Sequence, residues 1–401
     1  MVFRQILDKM KSVFLQAKSA TLYTVIWCLY FLQGVIYADG SAIAKVLLIL
    51  FVFYSIKYAV LVNREFKINP FIKSINWLVM MFAIYGILRV VWGDDGSWAY
   101  QNDPTTYLKD YLISILPIYA FYYFARKGEI NEDWFFYIAF VFLLVAVMQF
   151  YREQTIRLAT SWRKEVTNNT GYVFLGLIPC VLFIKKKPIY QFAFLSIVLL
   201  FILQGMKRGA ILVAAVSLFF LLPDMIRATK GKSRLIVILL SIGILIGGFY
   251  YVTAVMMNSE YFMMRVEQTL DGDASQREDM YPMYYHYFTT HYDSIQQIFG
   301  GGADSTLRYM GDFAHNDWLE LLLNQGIFGV ILYLAYWING AKYFMSYRKN
   351  APVEINTIIG LAFLACFVKS FFSMSINGMP LYTTSALGYA IAKKDMILRS
   401  L

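Results

Sequence analysis

The chain has 401 residues, 59% hydrophobic and only 15% charged, with a mean hydropathy of +0.52 and a formal charge of +10. A soluble protein carries about 25% charged residues to cover its surface, so a water-soluble enzyme, a disordered chain and a secreted disulfide scaffold are excluded. The 33 Phe, 31 Tyr and 8 Trp supply the aromatic loading found at bilayer interfaces, and the composition predicts an all-α polytopic membrane protein, with residues 1–401 as a single membrane domain.

Residues 1–20 open the chain. Val2, Phe3, Ile6, Leu7, Met10, Val13, Phe14 and Ala17 recur at steps of three and four, with Lys9, Lys11 and Lys18 largely off that stripe. This predicts an amphipathic helix lying on a membrane surface. No small-residue cleavage site follows, so the first span is expected to be retained. Apolar runs then place about twelve transmembrane helices near 21–37, 43–62, 74–92, 109–125, 134–151, 171–184, 189–204, 209–226, 235–254, 317–339, 355–374 and 380–392. Several fall short of the ~20 residues that cross a bilayer upright. The last, with Gly388 and several polar residues, carries the weakest signal.

Orientation follows from Lys and Arg. With the N-terminus inside, the inner segments hold 22 of these residues and the longer outer segments hold 10. That bias predicts both termini in the cytoplasm and reads the basic charge as topology, leaving no nucleic-acid partner. Cys28, Cys180 and Cys366 lie in apolar runs without a CxxC pair, and His286, His291 and His315 have no ligand-rich surroundings, so neither a disulfide nor a metal site is predicted.

Residues 255–316 form one long outer-face loop with nine acids, three arginines and all three histidines. Its aromatic density (Tyr281, Tyr284, Tyr285, Tyr287, Phe288, Tyr292) predicts a folded segment, with a helix from Met280 to His291 along the membrane surface.

Four local patterns could carry chemistry. In Ala314-His315-Asn316-Asp317-Trp318-Leu319-Glu320, Asn316 or Asp317 can cap a helix, and Asp317 with Glu320 has capping-box spacing. His315 just before the cap is either an ordinary loop histidine or a base at the mouth of a membrane cavity. In Gln204-Gly205-Met206-Lys207-Arg208-Gly209, Lys207 and Arg208 either meet solvent and lipid phosphates or grip an anionic headgroup between glycines that permit close approach. Arg277, among acids, is either locally ion-paired or a ligand. Gly300, Gly301 and Gly302 form a turn or an anion-cradling nest. Lys45, Arg89 and Lys369 fall in the outer halves of spans, where a charge marks a pathway or a ligand; snorkelling explains Lys45 and Arg89 about as well, and Lys369 is the one expected to join the same site.

The order of these patterns resembles the O-antigen ligase and O-antigen polymerase superfamily of bacterial envelope glycosyltransferases. It runs from a Gly-flanked Arg208 to Arg277 in a long outer loop, then the Phe-Gly-Gly-Gly turn, then His315-Asn316 through Leu319 to Gly326. The resemblance covers roughly 170–375 and implies a GT-C-like membrane fold acting at the periplasmic face without a cofactor or metal. It implies a donor glycan on undecaprenyl diphosphate and an acceptor that is a glycan or a lipid A-core sugar. By the same resemblance Arg208 and Arg277 hold the diphosphate and His315 accepts the acceptor proton. Lys207, Asn316, Gly301 and Lys369 are the expected substrate-binding residues. The element around Arg277 carries Ser-Gln where a glycine is common, which leaves Arg265 or Arg308 as replacements. The alternative is a membrane transporter or flippase of a polysaccharide precursor; against it, residues 1–200 and 201–401 show no convincing repeat.

Overall fold

The computed structural model describes residues 18–36, 41–92, 104–161, 165–184, 187–270, 277–346, 350–375 and 381–400. The amphipathic helix expected over 1–20 lies almost wholly outside them. All regular elements among the described residues are helical. They are α1 (Lys18–Ile36), α2 (Ala42–Glu65), α3 (Pro70–Trp92), α4 (Pro104–Ile115), α5 (Pro117–Lys127), α6 (Glu132–Thr160), α7 (Gly171–Leu175) and a 3-10 helix (Ile178–Phe183). After these come α8 (Pro188–Gln204), α9 (Arg208–Ala228) and α10 (Lys232–Tyr251), the last running into a π turn at Val252–Met256. The segment between them and the next long helix holds α11 (Glu260–Leu270), α12 (Arg277–His291), α13 (Ser294–Phe299) and α14 (Ser305–Met310). The chain closes with α15 (Asp317–Met345), α16 (Val353–Ser370) and α17 (Leu381–Ser400).

Eight of these helices are long and apolar enough to cross a membrane, with 171–183 and 188–204 as shorter apolar helices. The chain is an all-α, multi-pass membrane protein. The run expected at 109–125 starts earlier and is broken in two. Pro117 cannot continue the backbone ladder of α4, and α5 ends at Gly128 in a left-handed conformation (φ 72°). α15 is also interrupted, at Gly326 (φ 67°, ψ −164°).

Burial explains which spans were easy to read. The segment Lys232–Met256 is the most hydropathic and the least buried, because its side chains face lipid. α17 is the reverse. Ala386, Leu387, Tyr389, Ala390, Ile391 and Ala392 are all buried, together with Thr383, Thr384 and Ser385. Gly388 lets it lie against α5, since a β-carbon there would strike the Ile118 carbonyl. A helix wrapped by protein needs small residues for close packing and does not need hydropathy.

The two polar ends of the bundle are built differently. α3 joins them. At its start, Asn69 Nδ2 donates to Asp395, which also accepts from Tyr122 and Tyr343 at 2.7 and 2.8 Å. At its finish, Arg89 is buried and pairs with Asp304 at 3.7 Å. Of the two readings of Arg89, snorkelling is not the one seen; a carboxylate from the segment before α14 reaches in to meet it.

Candidate active site

The end of the bundle that holds residues 257–316 also gathers the starts of α9 and α15 and the finish of α16. The turn before α9 is fixed by Asn168, which is fully buried. Its backbone N–H donates to Gly205 O at 2.8 Å and its Nδ2 to Phe150 O at 2.9 Å. Met206 adopts a left-handed φ of 49°, Lys207 is extended, and its carbonyl accepts from Ala210 and Ile211. Arg208 thus occupies the first residue of α9, where unpaired backbone N–H groups already favour an anion.

Gly209 has a packing reason. A β-carbon there would fall on the Tyr172 hydroxyl and within 2.5 Å of Phe372 Cε2. The close approach permitted by this glycine is therefore to two aromatic side chains beside Arg208. Tyr172 in turn carries the Lys369 ammonium over its ring, 4.9 Å from the centroid. Lys369 is buried and interacts electrostatically with Asp317, whose carboxylate accepts from Ser375 N at 2.8 Å and the Tyr333 hydroxyl at 2.7 Å.

The Phe371–Phe372 corner connects this group to His315. While the Phe372 ring meets Gly209, the Phe371 carbonyl accepts from Asn316 Nδ2 at 3.1 Å and from the Tyr281 hydroxyl at 3.3 Å. Tyr281 also reaches the His315 carbonyl at 3.4 Å. His315 has φ 49° and is clamped on both sides. Ahead of it, Ala314 N donates to Glu320 Oε2 at 3.0 Å; behind it, Asn316 Oδ1 accepts from Trp318 N and Leu319 N and caps α15. The capping box expected from Asp317 and Glu320 does not form. Asn316 is the cap, Asp317 turns toward α16, and Glu320 turns toward α14, where Oε1 accepts from Thr306 Oγ1 at 2.5 Å and Asn324 Nδ2 at 2.9 Å. Asn316, expected to bind substrate, also serves the fold: Oδ1 caps α15 and Nδ2 donates to Phe371 O next to His315.

The glycine triplet is a docking turn. The N–H groups of Gly300, Gly301 and Gly302 donate to the carbonyls of Gln296, Leu323 and Asn324. A β-carbon on Gly300 (φ 79°) would collide with Asn324 O, and one on Gly326 with Ile298 O. The break in α15 and the triplet are complementary, and none of the three amides is left to cradle an anion. Gly301, expected to bind substrate, gives its N–H to Leu323 O.

Arg277 opens α12, one helical turn before Tyr281. Its side chain, like that of Arg265, lies outside the described residues. The helix expected over Met280–His291 is present and begins three residues earlier. Its stripe of Tyr281, Tyr284 and Phe288 faces inward, Tyr284 donating to Asp312 O at 2.8 Å. Burial pushes the Tyr284 phenol above its ordinary range, so it remains a donor. Arg308 lies elsewhere, beside the glycine triplet, with its guanidinium donating to Gly301 O at 2.6 Å and Ser305 Oγ at 3.1 Å. Among the described residues no cluster of His, Cys, Asp and Glu could hold a metal ion. Sequence reasoning missed Tyr172, Tyr281 and the Phe371–Phe372 corner. Nothing separates those aromatics in sequence from dozens of others; only the fold selects them.

Residues 192–334 match the family model of the O-antigen ligase. That segment is similar to the O-antigen ligase family. The match spans Arg208, Arg277, the glycine triplet and His315-Asn316, as the resemblance in motif order implied, and stops before Lys369. A search of curated proteins returns no match. The match points to glycan transfer of the O-antigen ligase type in polysaccharide biosynthesis, on a membrane-embedded enzyme with glycan and lipid-linked substrates, and away from the transporter alternative.

Proposed function

We propose that this protein transfers a glycan from undecaprenyl diphosphate to a sugar hydroxyl at the periplasmic face of the bacterial cytoplasmic membrane, with both termini in the cytoplasm. The observation that carries the reading is the Phe371–Phe372 corner. Through it the start of α9, the buried Lys369 and the His315-Asn316 cap become neighbours. Arg208, Lys207 and Lys369 supply positive charge for a diphosphate, and Arg277 joins them from the start of α12. Guanidinium suits this task because its planar donors engage two phosphate oxygens together.

The step breaks the bond between the anomeric carbon and the diphosphate oxygen, and the electron pair leaves on the diphosphate. The acceptor oxygen bonds to the same carbon, and its proton passes to the His315 imidazole. Negative charge grows on the leaving diphosphate as the bond opens. Loss of one preorganised contact to such charge costs about 3–4 kcal/mol, or roughly 10²–10³ in rate. The segment 255–316 covers the aqueous side, and 1–401 acts as one membrane domain. No step is routed through a metal.

The test is glycan display and transfer with purified protein. Arg208→Ala and His315→Ala should each abolish surface glycan while protein levels persist; wild-type display in both overturns the reading. Glycan profiling of a deletion strain assigns the branch. Loss of chains beyond one repeat marks a polymerase, and long chains stranded on the carrier lipid mark a ligase.

A further inference from the structure

A second cavity, of about 570 Å³, opens on the other flank of α15. Trp318 and Tyr333 belong to the α16 side of that helix, where Trp318 Nε1 donates to Ser370 Oγ and Tyr333 to Asp317. Phe328 and Leu332 line the new cavity on the α3 side. α3 contributes Trp77, Met80, Ile84 and Leu88, a stripe at helical spacing about 16 Å long at 1.5 Å per residue. These side chains are exposed on a helix that crosses the membrane, so the groove is open to lipid chains along its length.

One end of the groove is cationic. Arg89 and Arg308 both line it, and the one carboxylate between them, Asp304, pairs with Arg89. Arg308 has no acidic partner among the described residues, and its Nε is buried without a hydrogen bond. A guanidinium without an acidic partner among the described residues, lining the head of a lipid-facing groove, matches a phosphate on an aliphatic chain. The end is also wired to the reaction centre. α14, which carries Arg308, is tied through Thr306 Oγ1 to Glu320, and the same carboxylate holds Ala314 N beside His315.

We propose that the groove between α3 and α15 is a second lipid-phosphate site, which holds the acceptor by its phosphate-bearing lipid end. The inference rests on the glycan-transfer reading above. Two substrates that are each tethered in one leaflet need separate lateral entrances, and α15 stands between the two. The shared chemistry is a phosphate headgroup on long aliphatic chains. It fits both a second polyprenyl diphosphate glycan and a phosphorylated glycolipid.

The test uses full-length protein in nanodiscs with diazirine-bearing probes: undecaprenyl diphosphate, phosphorylated lipid A, and phosphatidylcholine as the bulk-lipid control. A phosphate probe should label residues 77–89 and 328–332 well above phosphatidylcholine. Labelling there should fall at least fivefold in Arg308→Gln and in Ile84→Trp, which fills the groove from its lipid side without touching the polar end. In both variants KM for the acceptor should rise about tenfold while KM for the donor holds. Labelling by undecaprenyl diphosphate identifies a lipid-linked glycan acceptor; labelling by lipid A identifies the glycolipid. Labelling equal to phosphatidylcholine, or an acceptor KM unmoved in Ile84→Trp, overturns the site. That failure is distinct from failure of the functional reading, which shows as transfer persisting in Arg208→Ala.

Discussion

Gly209→Ala adds one methyl group beside the proposed diphosphate site. The new β-carbon would sit 2.5 Å from Phe372 Cε2 and on the Tyr172 hydroxyl, against the 3.4–4 Å of ordinary contact. One partner must retreat by about 1 Å, and neither moves freely. Phe372 lies in the corner whose neighbouring carbonyl holds Asn316 and Tyr281, and Tyr172 sits under Lys369. Two effects on stability oppose each other. Alanine gains about 1 kcal/mol over glycine in a helix, and overpacking costs about 1–3 kcal/mol. The net loss is therefore small, at most about 2 kcal/mol, and the protein should still fold.

The rate should respond far more. A displacement of about 1 Å at a positioned group costs on the order of 10²-fold. The assay is transfer from a labelled lipid-linked donor in nanodiscs, normalised to folded protein by size-exclusion chromatography. Gly34→Ala is the control, because a β-carbon there meets nothing within 4 Å; it should leave the rate unchanged and stability equal or slightly higher. If Gly209→Ala transfers glycan at the wild-type rate, then Tyr172 and Phe372 do not set the position of Arg208 and the proposed site loses its scaffold.

Three further outcomes are expected. Glu320→Ala should lower stability by about 3–5 kcal/mol, since Ala314 N, Thr306 and Asn324 all lose a buried acceptor. Glu320→Gln keeps one oxygen but turns an NH2 toward Ala314 N, so thermal unfolding should shift less while transfer still drops. Lys369→Met removes the buried cation whose charge faces Asp317 and should lower the melting temperature; adding Asp317→Asn should restore the melting temperature but not transfer, which separates a substrate role from a structural one. Asp395→Ala should destabilise by several kcal/mol, on the order of 1 or more per stranded donor of Asn69, Tyr122 and Tyr343. It should leave kcat/KM of the folded fraction unchanged, because α3 separates Asn69 from Arg89 by roughly 30 Å.

The spans were legible because lipid-facing helices must be apolar, and this signal is strongest where burial is least. α10 announces itself, whereas α17 hides because protein replaces lipid around Ser385 and Gly388. The break at Pro117 could have been read from the proline alone. The break at Gly326 could not, since glycine within an apolar run is common in membrane helices and only contact with Gly300 gives this one its purpose. Arg89 stayed open between two readings for the same reason: its partner Asp304 is more than two hundred residues away and in another segment.

The candidate site divides along the same line. Arg208, His315 and Lys369 were singled out by local patterns: a cation in a Gly-flanked turn, a histidine beside a helix cap, and a cation inside a span. What they share is not local. Asn316 has the residue type of a ligand, yet its cap to Trp318 and Leu319 and its bond to Phe371 O engage its oxygen and one of its two N–H donors. Gly301 has the motif of a nest, yet its N–H belongs to Leu323. In both cases a polar group looks available until the fold supplies its partner, because a buried amide must be paired with something. The residues proposed for chemistry are placed by contacts of their backbone. His315 is gripped by its backbone, through Tyr281 at its carbonyl and Glu320 and Asn316 on either side. Arg208 is placed by the helix start and by Gly209. A histidine clamped through its main chain is held at a fixed place in the fold, which is what the proposed role as a base requires.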